Sequence, residues 1–185
     1  LLALFKSTGD PLLNIAGALD PPTSGRVLFD GEDLTAQEPD ALAAFRASSL
    51  GFVFQHHHLL PQLTALENAL LPALAEPGAP TPASLRARAE ALLERVGLSE
   101  RMAHRPGALS GGERQRVALA QCVLQGAPLM LMDEPVSFQD PAHQAAVARW
   151  LAQLVAPGSD AALVVSAHDV NWILRTATHV LALTG

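Results

Sequence analysis

Tyrosine is absent from this 185-residue chain and cysteine occurs only once, and these absences exclude several classes of protein. With Cys122 as the single cysteine, an intrachain disulfide is impossible, which fits a reducing compartment. Basic residues are also few, because twelve Lys and Arg stand against eighteen Asp and Glu, a formal charge of −6. This acidic balance argues against a general nucleic-acid binder, which needs a basic face to neutralise phosphates.

Long apolar runs are missing as well. A helix that crosses a bilayer needs roughly 20 consecutive apolar residues, whereas the longest runs here, such as residues 129–132, have the length of buried strands. The opening residues 1–6 lack the basic leader and the apolar core of a signal peptide. They begin abruptly in a strand-like run, from which we expect that upstream sequence is missing.

The chain does contain an alternation of strand-like and helical segments, in which 49% of the residues are hydrophobic. Strands are predicted at residues 1–5, 27–29, 50–54, 129–132, 162–166 and 180–183. Helices are predicted at residues 12–19, 40–46, 110–125, 143–154 and 171–177. Such an alternation predicts a single α/β domain, residues 1–185, with a mainly parallel sheet.

The middle of the chain has a different character. Between residues 59 and 107, Ala, Leu, Arg and Glu recur at helical spacing, as in residues 84–96. A loop rich in proline, residues 76–82, interrupts this pattern. We therefore expect a helical subdomain at about residues 59–107, inserted between the strand-forming halves.

The most informative motif is the segment from Ser110 to Glu113, which contains Gly111 and Gly112. Two glycines let the backbone approach a ligand, and the free N–H groups at the start of a helix suit a phosphate. The same residues also fit an ordinary capping box, in which Ser and Glu cap the helix reciprocally. Taken alone, the segment fits both interpretations equally.

A pair of carboxylates, Asp133 and Glu134, follows the strand predicted at residues 129–132. Since α/β sheets place ligands at the carboxyl ends of their strands, Asp133 is a candidate Mg²⁺ ligand. Glu134 is the candidate general base that polarises an attacking water. The alternative is two solvated acids at a strand end, which is common when such a pair stands alone.

Two other predicted strands also end near polar residues. Gln55 follows residues 50–54, and its neutral amide can orient water and contact Mg²⁺ without titrating. His168 follows residues 162–166 and can donate a hydrogen bond to a γ-phosphate or to water. Taken singly, each fits a structural role better than a catalytic one.

Several residues invite other interpretations. The three consecutive histidines, residues 56–58, project in different directions and therefore indicate a polar surface turn rather than a metal site. Trp150 and Trp172 lie in predicted helices and are expected in the core or an interface. Cys122 is expected to be a small buried hydrophobe.

Together and in this order, the motifs resemble those of the ATP-binding cassette (ABC) family of ATPases. In the terms of that family they are the Q-loop at Gln55, the signature at residues 110–113, Walker B at Asp133 and Glu134, the D-loop at residues 137–140 and the switch histidine at His168. Residues 12–25 are similar to the segment after the family's phosphate loop. Residues 55–61 and 64–68 are similar to the lipoprotein-release and macrolide-export branch. The resemblance implies the P-loop NTPase fold of an ABC nucleotide-binding domain, with a helical subdomain and with ATP and Mg²⁺ as ligands.

The phosphate loop departs from the family pattern, which is GxxGxGK followed by Ser or Thr. Aligned without a gap, Gly9 takes the position of the phosphate lysine and Asp10 that of the Mg²⁺ serine. With a three-residue insertion, Lys6, Ser7 and Thr8 match the pattern; these are the phosphate-binding candidates, and Ser7 is also a candidate Mg²⁺ ligand. Either way, the glycines whose N–H groups surround the β-phosphate are missing, and Asp10 would repel an anion.

The resemblance further implies an ATP-hydrolysing subunit that pairs head to tail with a second copy or with a related ABC subunit. Ser110, Gly111 and Gly112 of one chain then contact the γ-phosphate held by the other, and Asp140 of the D-loop also lies at the nucleotide. An integral-membrane permease is the implied partner. The chain is accordingly expected in the cytoplasm, bound to the cytoplasmic face of the inner membrane only through that permease, with no nucleic acid as partner.

Two alternatives stay open. A catalytically degenerate ABC subunit, which supplies only its signature to a competent partner, is favoured by the altered phosphate loop. An ABC-type ATPase of DNA repair carries the same motifs, but such proteins insert long coiled coils and this chain has no sustained heptads. Adenine recognition has no candidate residue, because the family's stacking aromatic lies upstream of the phosphate loop.

Overall fold

Strands and helices alternate along the chain, as the sequence predicts. The computed structural model describes residues 2–5, 11–55, 58–74, 81–137, 139–156, 158–167, 169, 171–172 and 177–182. The strands within these ranges are β1 (Leu2–Phe5), β2 (Leu28–Phe29), β3 (Glu32–Asp33), β4 (Leu50–Val53), β5 (Leu129–Asp133), β6 (Ala162–Ala167) and β7 (His179–Ala182). The helices are α1 (Pro11–Ala16), α2 (Pro39–Ser49), α3 (Ala65–Leu74), α4 (Pro82–Arg95), α5 (Gly111–Gln125) and α6 (Pro141–Leu154).

Five of the strands form one sheet in the order β4-β5-β6-β1-β7. Every pairing in this sheet is parallel, which confirms the prediction of a mainly parallel sheet. β2 and β3 form a separate antiparallel hairpin. Its turn residues, Asp30 and Gly31, have φ values of 49° and 85°, the backbone that a tight hairpin turn requires.

Helices cover both faces of the sheet. In β5, successive side chains pack alternately against one face and the other. Met130 and Met132 face the larger hydrophobic core, to which α5 and α6 contribute. Leu131 faces the other side and packs with Leu13 of α1 and Leu50 of β4. Because successive side chains of a strand point to opposite faces, a strand covered on both sides reads as one unbroken apolar run.

The helices between residues 59 and 107 pack on α5 rather than on the sheet. α3 and α4 contact each other and α5, and α5 in turn contacts β4. The side chains that join these helices include Leu66, Leu85, Leu93 and Leu119, all of them buried. Burial of one such leucine contributes about 1.5–3 kcal/mol. α5 therefore links the helical part of the chain to the sheet.

Asn68 lies in the first turn of α3 and is only 1% exposed. Its side chain holds the loop that leads into this helix. Its Oδ1 accepts a hydrogen bond from the N–H of Leu60 at 2.7 Å. Its Nδ2 lies 2.9–3.1 Å from the carbonyl oxygens of Leu60, Leu63 and Thr64, to which it donates. One buried amide thus satisfies several backbone groups of the loop that follows the histidine run.

Several predicted helices have different bounds in the structure. α2 extends beyond the predicted residues 40–46 at both ends, and α6 begins at Pro141 rather than at residue 143. α1 ends at Ala16 rather than at residue 19, since Ala18 has a φ of 51° and a left-handed residue ends a helix. Of the helix predicted at residues 171–177, Asn171 and Trp172 are helical and Ala177 is not, while residues 173–176 lie outside the described residues. No helix in the described ranges is both long and apolar enough to cross a bilayer.

Candidate functional site

The carboxyl ends of four neighbouring strands meet at one edge of the sheet. In the register, Val53 of β4 lies opposite Met132 of β5, and Asp133 lies opposite Ser166 of β6. Phe5 of β1 lies opposite Ala167 of β6. Sheets of this kind bind ligands at this edge.

The predicted site residues follow these strands. Gln55 comes two residues after β4 and is exposed, and Asp133 and Glu134 are half-buried at the end of β5. Lys6, Ser7 and Thr8 follow β1 in sequence, and His168 follows β6, but all four lie outside the described residues. Four strands precede the predicted phosphate loop, Q-loop, Walker B pair and switch histidine. All four strands therefore end at the same edge of the sheet.

A serine of the neighbouring strand holds the Asp133 carboxylate. Ser166 Oγ donates a hydrogen bond to Asp133 Oδ1 at 2.5 Å. Ser166 is only 1% exposed, so its hydroxyl has no access to bulk water as an alternative partner. A carboxylate oxygen at a strand end is the kind of ligand that Mg²⁺ prefers. Among the described residues, the hydrogen bond of this carboxylate is made by Oδ1 and none engages Oδ2.

Glu134 begins a sharp turn with a φ of 53°, an uncommon conformation for a residue with a side chain. Its N–H donates to the carbonyl of Ser166 at 3.1 Å, and its own carbonyl accepts from the N–H of Ser137 at 3.1 Å. Gln115 Nε2 also donates to that carbonyl. Ser137 Oγ donates to Glu134 Oε2 at 2.9 Å. Three segments of the chain thus hold this residue in a strained backbone position.

The segment from Ser110 to Glu113 forms the capping box at the start of α5. Ser110 Oγ accepts from the N–H of Glu113 at 3.2 Å, and Glu113 Oε2 accepts from the N–H of Ser110 at 2.7 Å. The N–H groups of Gly111 and Gly112 also lie at this helix start, and they donate to no acceptor among the described residues. The cap therefore does not exclude an anion site here. It uses the N–H groups of Ser110 and Glu113 and leaves those of Gly111 and Gly112 for an anion.

A backbone hydrogen bond and two arginines lower the pKa of Glu113, the carboxylate of the capping box. The N–H of Ser110 holds the pKa of Glu113 below its ordinary value, and its Arg101 and Arg116 neighbours act in the same direction. Arg101 Nε lies 3.2 Å from Glu113 Oε1. Burial lowers the pKa of the Arg116 guanidinium, which nonetheless stays charged in proteins. The start of α5 therefore carries an ionised Glu113 that is fully engaged within the chain.

Asp140, predicted at the nucleotide, caps α6 in the structure. Its Oδ1 accepts from the N–H groups of Ala142 and His143 at 3.0 Å each, and its Oδ2 lies 2.5 Å from His143 Nδ1. The N–H of His143 holds the pKa of Asp140 below its ordinary value, with the His143 ring contributing. Both carboxylate oxygens are thus occupied within this chain, and the contact of Asp140 with a nucleotide stays a prediction.

The single cysteine, the two tryptophans and His58 have defined positions in the structure. Cys122 is 2% exposed, and burial raises the pKa of its thiol to about 12, which confirms the prediction of a buried hydrophobe. Trp150 and Trp172 are buried, as expected of core residues. His58 is exposed, with its ring 4.7 Å from that of Phe54, while residues 56 and 57 lie outside the described residues. Within the described ranges, no cluster of three His, Cys, Asp or Glu could hold a metal ion.

Three polar residues that hydrogen-bond to Asp133 or Glu134 were not predicted as site residues from the sequence. Gln115 is fully buried on α5 and Ser166 is buried in β6, while Ser137 lies three residues after Glu134. A signal existed for two of them, because a polar side chain in an otherwise apolar pattern needs a hydrogen-bond partner inside the fold. Periodicity does not identify that partner, since it depends on which strands become neighbours.

Comparison with known proteins places these motifs in a family. The model of the ABC transporter family matches residues 6–137, well over half of the chain. The lipoprotein-releasing system ATP-binding protein LolD of Pseudomonas syringae pv. tomato is 43% identical, and the alignment covers 94% of this chain and 75% of that protein. The macrolide export ATP-binding/permease protein MacB of Bradyrhizobium diazoefficiens is 41% identical over 99% of this chain, but only 28% of that longer protein is covered. These relatives confirm the predicted resemblance to the lipoprotein-release and macrolide-export branch.

Solved structures agree with the predicted fold class. The ATP-binding cassette MJ0796, described as a dimer in a post-hydrolysis state bound to ADP and Pi, superposes with a TM-score of 0.90 at 35% identity. The superposition covers 98% of this chain and 80% of that one. The cbiO1 protein of Clostridium perfringens, 21% identical with a TM-score of 0.80 over 98% of this chain and 72% of that one, shares the fold. From the family match, the relatives and the common cassette architecture, it follows that this chain belongs to the ABC transporter family.

Proposed function

We propose that this chain binds and hydrolyses ATP as the nucleotide-binding subunit of an ABC transporter. One observation carries the proposal: Asp133 and Glu134 leave β5 at the sheet edge where β1, β4 and β6 also end. Each of those strands leads in sequence to another predicted site residue. The likeness to LolD, MacB and MJ0796 supports the same activity.

The residues of the chain fit Mg²⁺ as the cation that accompanies ATP. Asp133 presents a half-buried carboxylate, and its Oδ1 already accepts from Ser166. Mg²⁺ binds through one or two carboxylates together with substrate phosphates and water, so it needs no cage of protein ligands. Asp133, Gln55 and Ser7 would hold it. When bound, the ion neutralises charge on the phosphate oxygens during transfer.

Glu134 would act as general base. Its carboxylate accepts the proton of the attacking water, whose oxygen forms a bond to the γ-phosphorus while the bond to the leaving ADP breaks. His168 would donate a hydrogen bond to the γ-phosphate, and Lys6, Ser7 and Thr8 would bind the phosphates. Gln55 would orient the water through its amide.

Two copies of the chain, or one copy and a related subunit, would form the complete site. Ser110, Gly111 and Gly112 would contact the γ-phosphate of the nucleotide held by the partner, with the N–H groups of the two glycines directed at the anion. Asp140 would contact the nucleotide across the same interface. ATP binding would then close the dimer, and hydrolysis would open it.

The membrane permease is the proposed mechanical partner. The protein would lie at the cytoplasmic face of the inner membrane and would reach the bilayer through that permease. The relatives LolD and MacB are named for lipoprotein release and macrolide export, and we infer an export role of the same kind. Movement would pass through Gln55 and through the helices that pack on α5.

A nucleotide titration tests the proposal. Wild-type chain is titrated with a fluorescent ATP analogue, with Mg²⁺ or with EDTA, and phosphate release is measured in parallel. Saturable binding that depends on Mg²⁺, together with phosphate release, is the expected result. A chain that neither binds nor hydrolyses ATP, alone or with its permease, would contradict the proposed activity.

The altered phosphate loop favours the degenerate subunit as a second candidate. Its test is a variant in which a loop of the family pattern, GxxGxGKST, replaces the segment before Leu12. Equal binding by wild type and variant supports the active subunit. Binding by the variant alone supports a subunit that supplies only its signature to a competent partner.

A further inference from the structure

A small cavity lies between the C-terminal end of α4, the second turn of α5 and the first turns of α6. Its volume is about 190 Å³. We propose that this cavity is a binding site for a small apolar carboxylate, whose anionic group pairs with Arg116. Neither the family match nor the names of the relatives assign a ligand to this cavity, and its occupation is independent of the proposed ATPase activity.

Arg116 brings a buried positive charge to the cavity wall. The residue is only 9% exposed. Its Nε is shielded from solvent and has no hydrogen-bond partner among the residues that the structure describes. Burial lowers the pKa of this guanidinium, which stays charged all the same. Because a buried charge is costly without a partner, an anion that enters the cavity would stabilise it.

Two carboxylates act on Arg116 through their charge, those of Glu113 and Asp140. Within the described part of the chain, neither forms an ion pair with it. Glu113 pairs instead with Arg101, at 3.2 Å. Asp140 accepts from two N–H groups of α6 and lies 2.5 Å from His143 Nδ1. Both carboxylates are thus engaged elsewhere, and the described residues that line the cavity include no Asp or Glu.

The rest of the cavity favours a ligand with an apolar body. Its floor is apolar, since Val96, Val147 and Trp150 are each at most 6% exposed. Arg95 and His143 lie at its exposed rim. An apolar cavity of about 150 Å³ holds a benzene molecule, so about 190 Å³ fits a molecule of the size of benzoate. Inorganic phosphate fits less well, because apolar walls leave most of its oxygens without a donor.

Binding of fluorobenzoate, followed by fluorine NMR, tests the site. We expect the wild-type chain to bind this probe saturably and Arg116→Met to bind it about 10-fold or more weakly, since a charged hydrogen-bond partner is lost. Ala146→Leu, which adds bulk at the exposed rim and keeps the charge, should also weaken binding. Arg149→Gln changes an exposed arginine of α6 that does not line the cavity, and this control should bind as the wild type does.

Two further compounds test which chemistry is recognised. Fluorobenzyl alcohol has the same ring without the charge and should bind more weakly than fluorobenzoate, and inorganic phosphate should not displace the probe. Equal binding of acid and alcohol, displacement by phosphate at a similar concentration, or no saturable binding to the wild type would overturn the proposed site. Equal binding by the wild type and Arg116→Met would do the same.

Unfolding of the ligand-free protein tests whether Arg116 lacks a partner. An apolar side chain of similar length removes the cost of a buried, unpaired charge. Arg116→Met should therefore unfold at the same urea concentration as the wild type, or at a higher one. A lower midpoint would show that the guanidinium is already paired within the chain, and would overturn the inference. ATP binding is measured separately, so a failure of this site leaves the proposed function untouched.

Discussion

Gly51 on β4 lies directly against Cys122 on α5: a Cβ added at position 51 would stand 2.7 Å from Cys122 Sγ. Real Cβ atoms do not come so close, and Met130 Cγ, 3.5 Å away, limits movement on another side. Gly51 therefore sets how closely the sheet and the helix that follows the signature can pack. This contact joins the start of β4 to the C-terminal half of α5.

Gly51→Ala is expected to lower the free energy of unfolding by about 1–3 kcal/mol, the usual cost of overpacking a core. Cys122→Ala removes the sulfur that the new methyl group would meet. In the double variant, the Gly51→Ala penalty should therefore shrink. Urea unfolding of the wild type, both single variants and the double variant measures the coupling, and an equal Gly51→Ala penalty with or without Cys122 would refute the contact.

Cys122 should resist alkylation in the folded protein. Burial raises the pKa of its thiol to about 12, so the reactive thiolate is scarce at pH 8, and its sulfur is shielded by the core. We expect iodoacetamide to leave the native protein unmodified and to label it fully in denaturant, as followed by mass spectrometry. Rapid labelling of the native protein would contradict the buried position.

Substitutions of Ser110 separate its cap from its proposed phosphate contact. Ser110→Ala removes the acceptor for the Glu113 N–H and should cost about 1 kcal/mol of stability. Ser110→Asp keeps a good cap and should be close to the wild type in urea unfolding, but it brings a negative charge to the proposed phosphate. ATPase activity should therefore fall in both variants, and full activity of Ser110→Asp would contradict the contact with phosphate.

Glu113 should make stability depend on pH in the acid range. The folded protein holds the pKa of Glu113 below its ordinary value, chiefly through the N–H of Ser110. The stabilisation is therefore complete above the ordinary glutamate pKa of about 4.3 and is lost as the pH falls through the lower folded value. Glu113→Gln can still form a capping box but does not titrate.

Urea unfolding at several pH values between neutral and acid checks this sign. The stability advantage of the wild type over Glu113→Gln should be constant at neutral pH and should shrink as the pH falls below about 4.3. An advantage that grows on acidification would show that the carboxylate is not held in its ionised form.

Glu134→Gln should abolish most hydrolysis while sparing ATP binding. The amide has nearly the shape of the carboxylate but cannot take the proton of the water, and loss of a general base costs about 10²- to 10⁴-fold in kcat. Turnover and nucleotide affinity are measured separately, and dimerisation with ATP by light scattering. Glu100→Gln, on the exposed 3₁₀ turn Ser99–Arg101, is the matched control and should behave as the wild type. Unchanged turnover in Glu134→Gln would refute the assignment of the base.

The capping box illustrates what could be predicted from the sequence. The spacing of Ser110 and Glu113 gave the capping box as one of two equal interpretations, and the structure shows both of its hydrogen bonds, whose partners lie within one turn of the same helix. The apolar run before Asp133 likewise predicted a buried strand, which the structure shows. Local spacing and composition determine features of this kind.

Partners from distant parts of the chain could not be predicted in the same way. The bond between Ser166 and Asp133 exists because β5 and β6 become neighbours in a register that pairs these two residues. Gln115 reaches Glu134 across two different elements. Asp140 is intermediate: an aspartate directly before Pro141 is typical of a helix cap, and the structure shows that cap, while its nucleotide contact came from the resemblance alone.

The position of β1 has a consequence for biogenesis. This strand lies between β6 and β7, and Leu2 pairs with both Val164 and His179. While the ribosome is still making the middle of the chain, β1 has neither neighbour and its backbone groups stay unpaired. The sheet of the described residues is complete only after synthesis has passed Ala182, the end of β7, so the nascent protein depends on late, long-range closure and is exposed to aggregation until then.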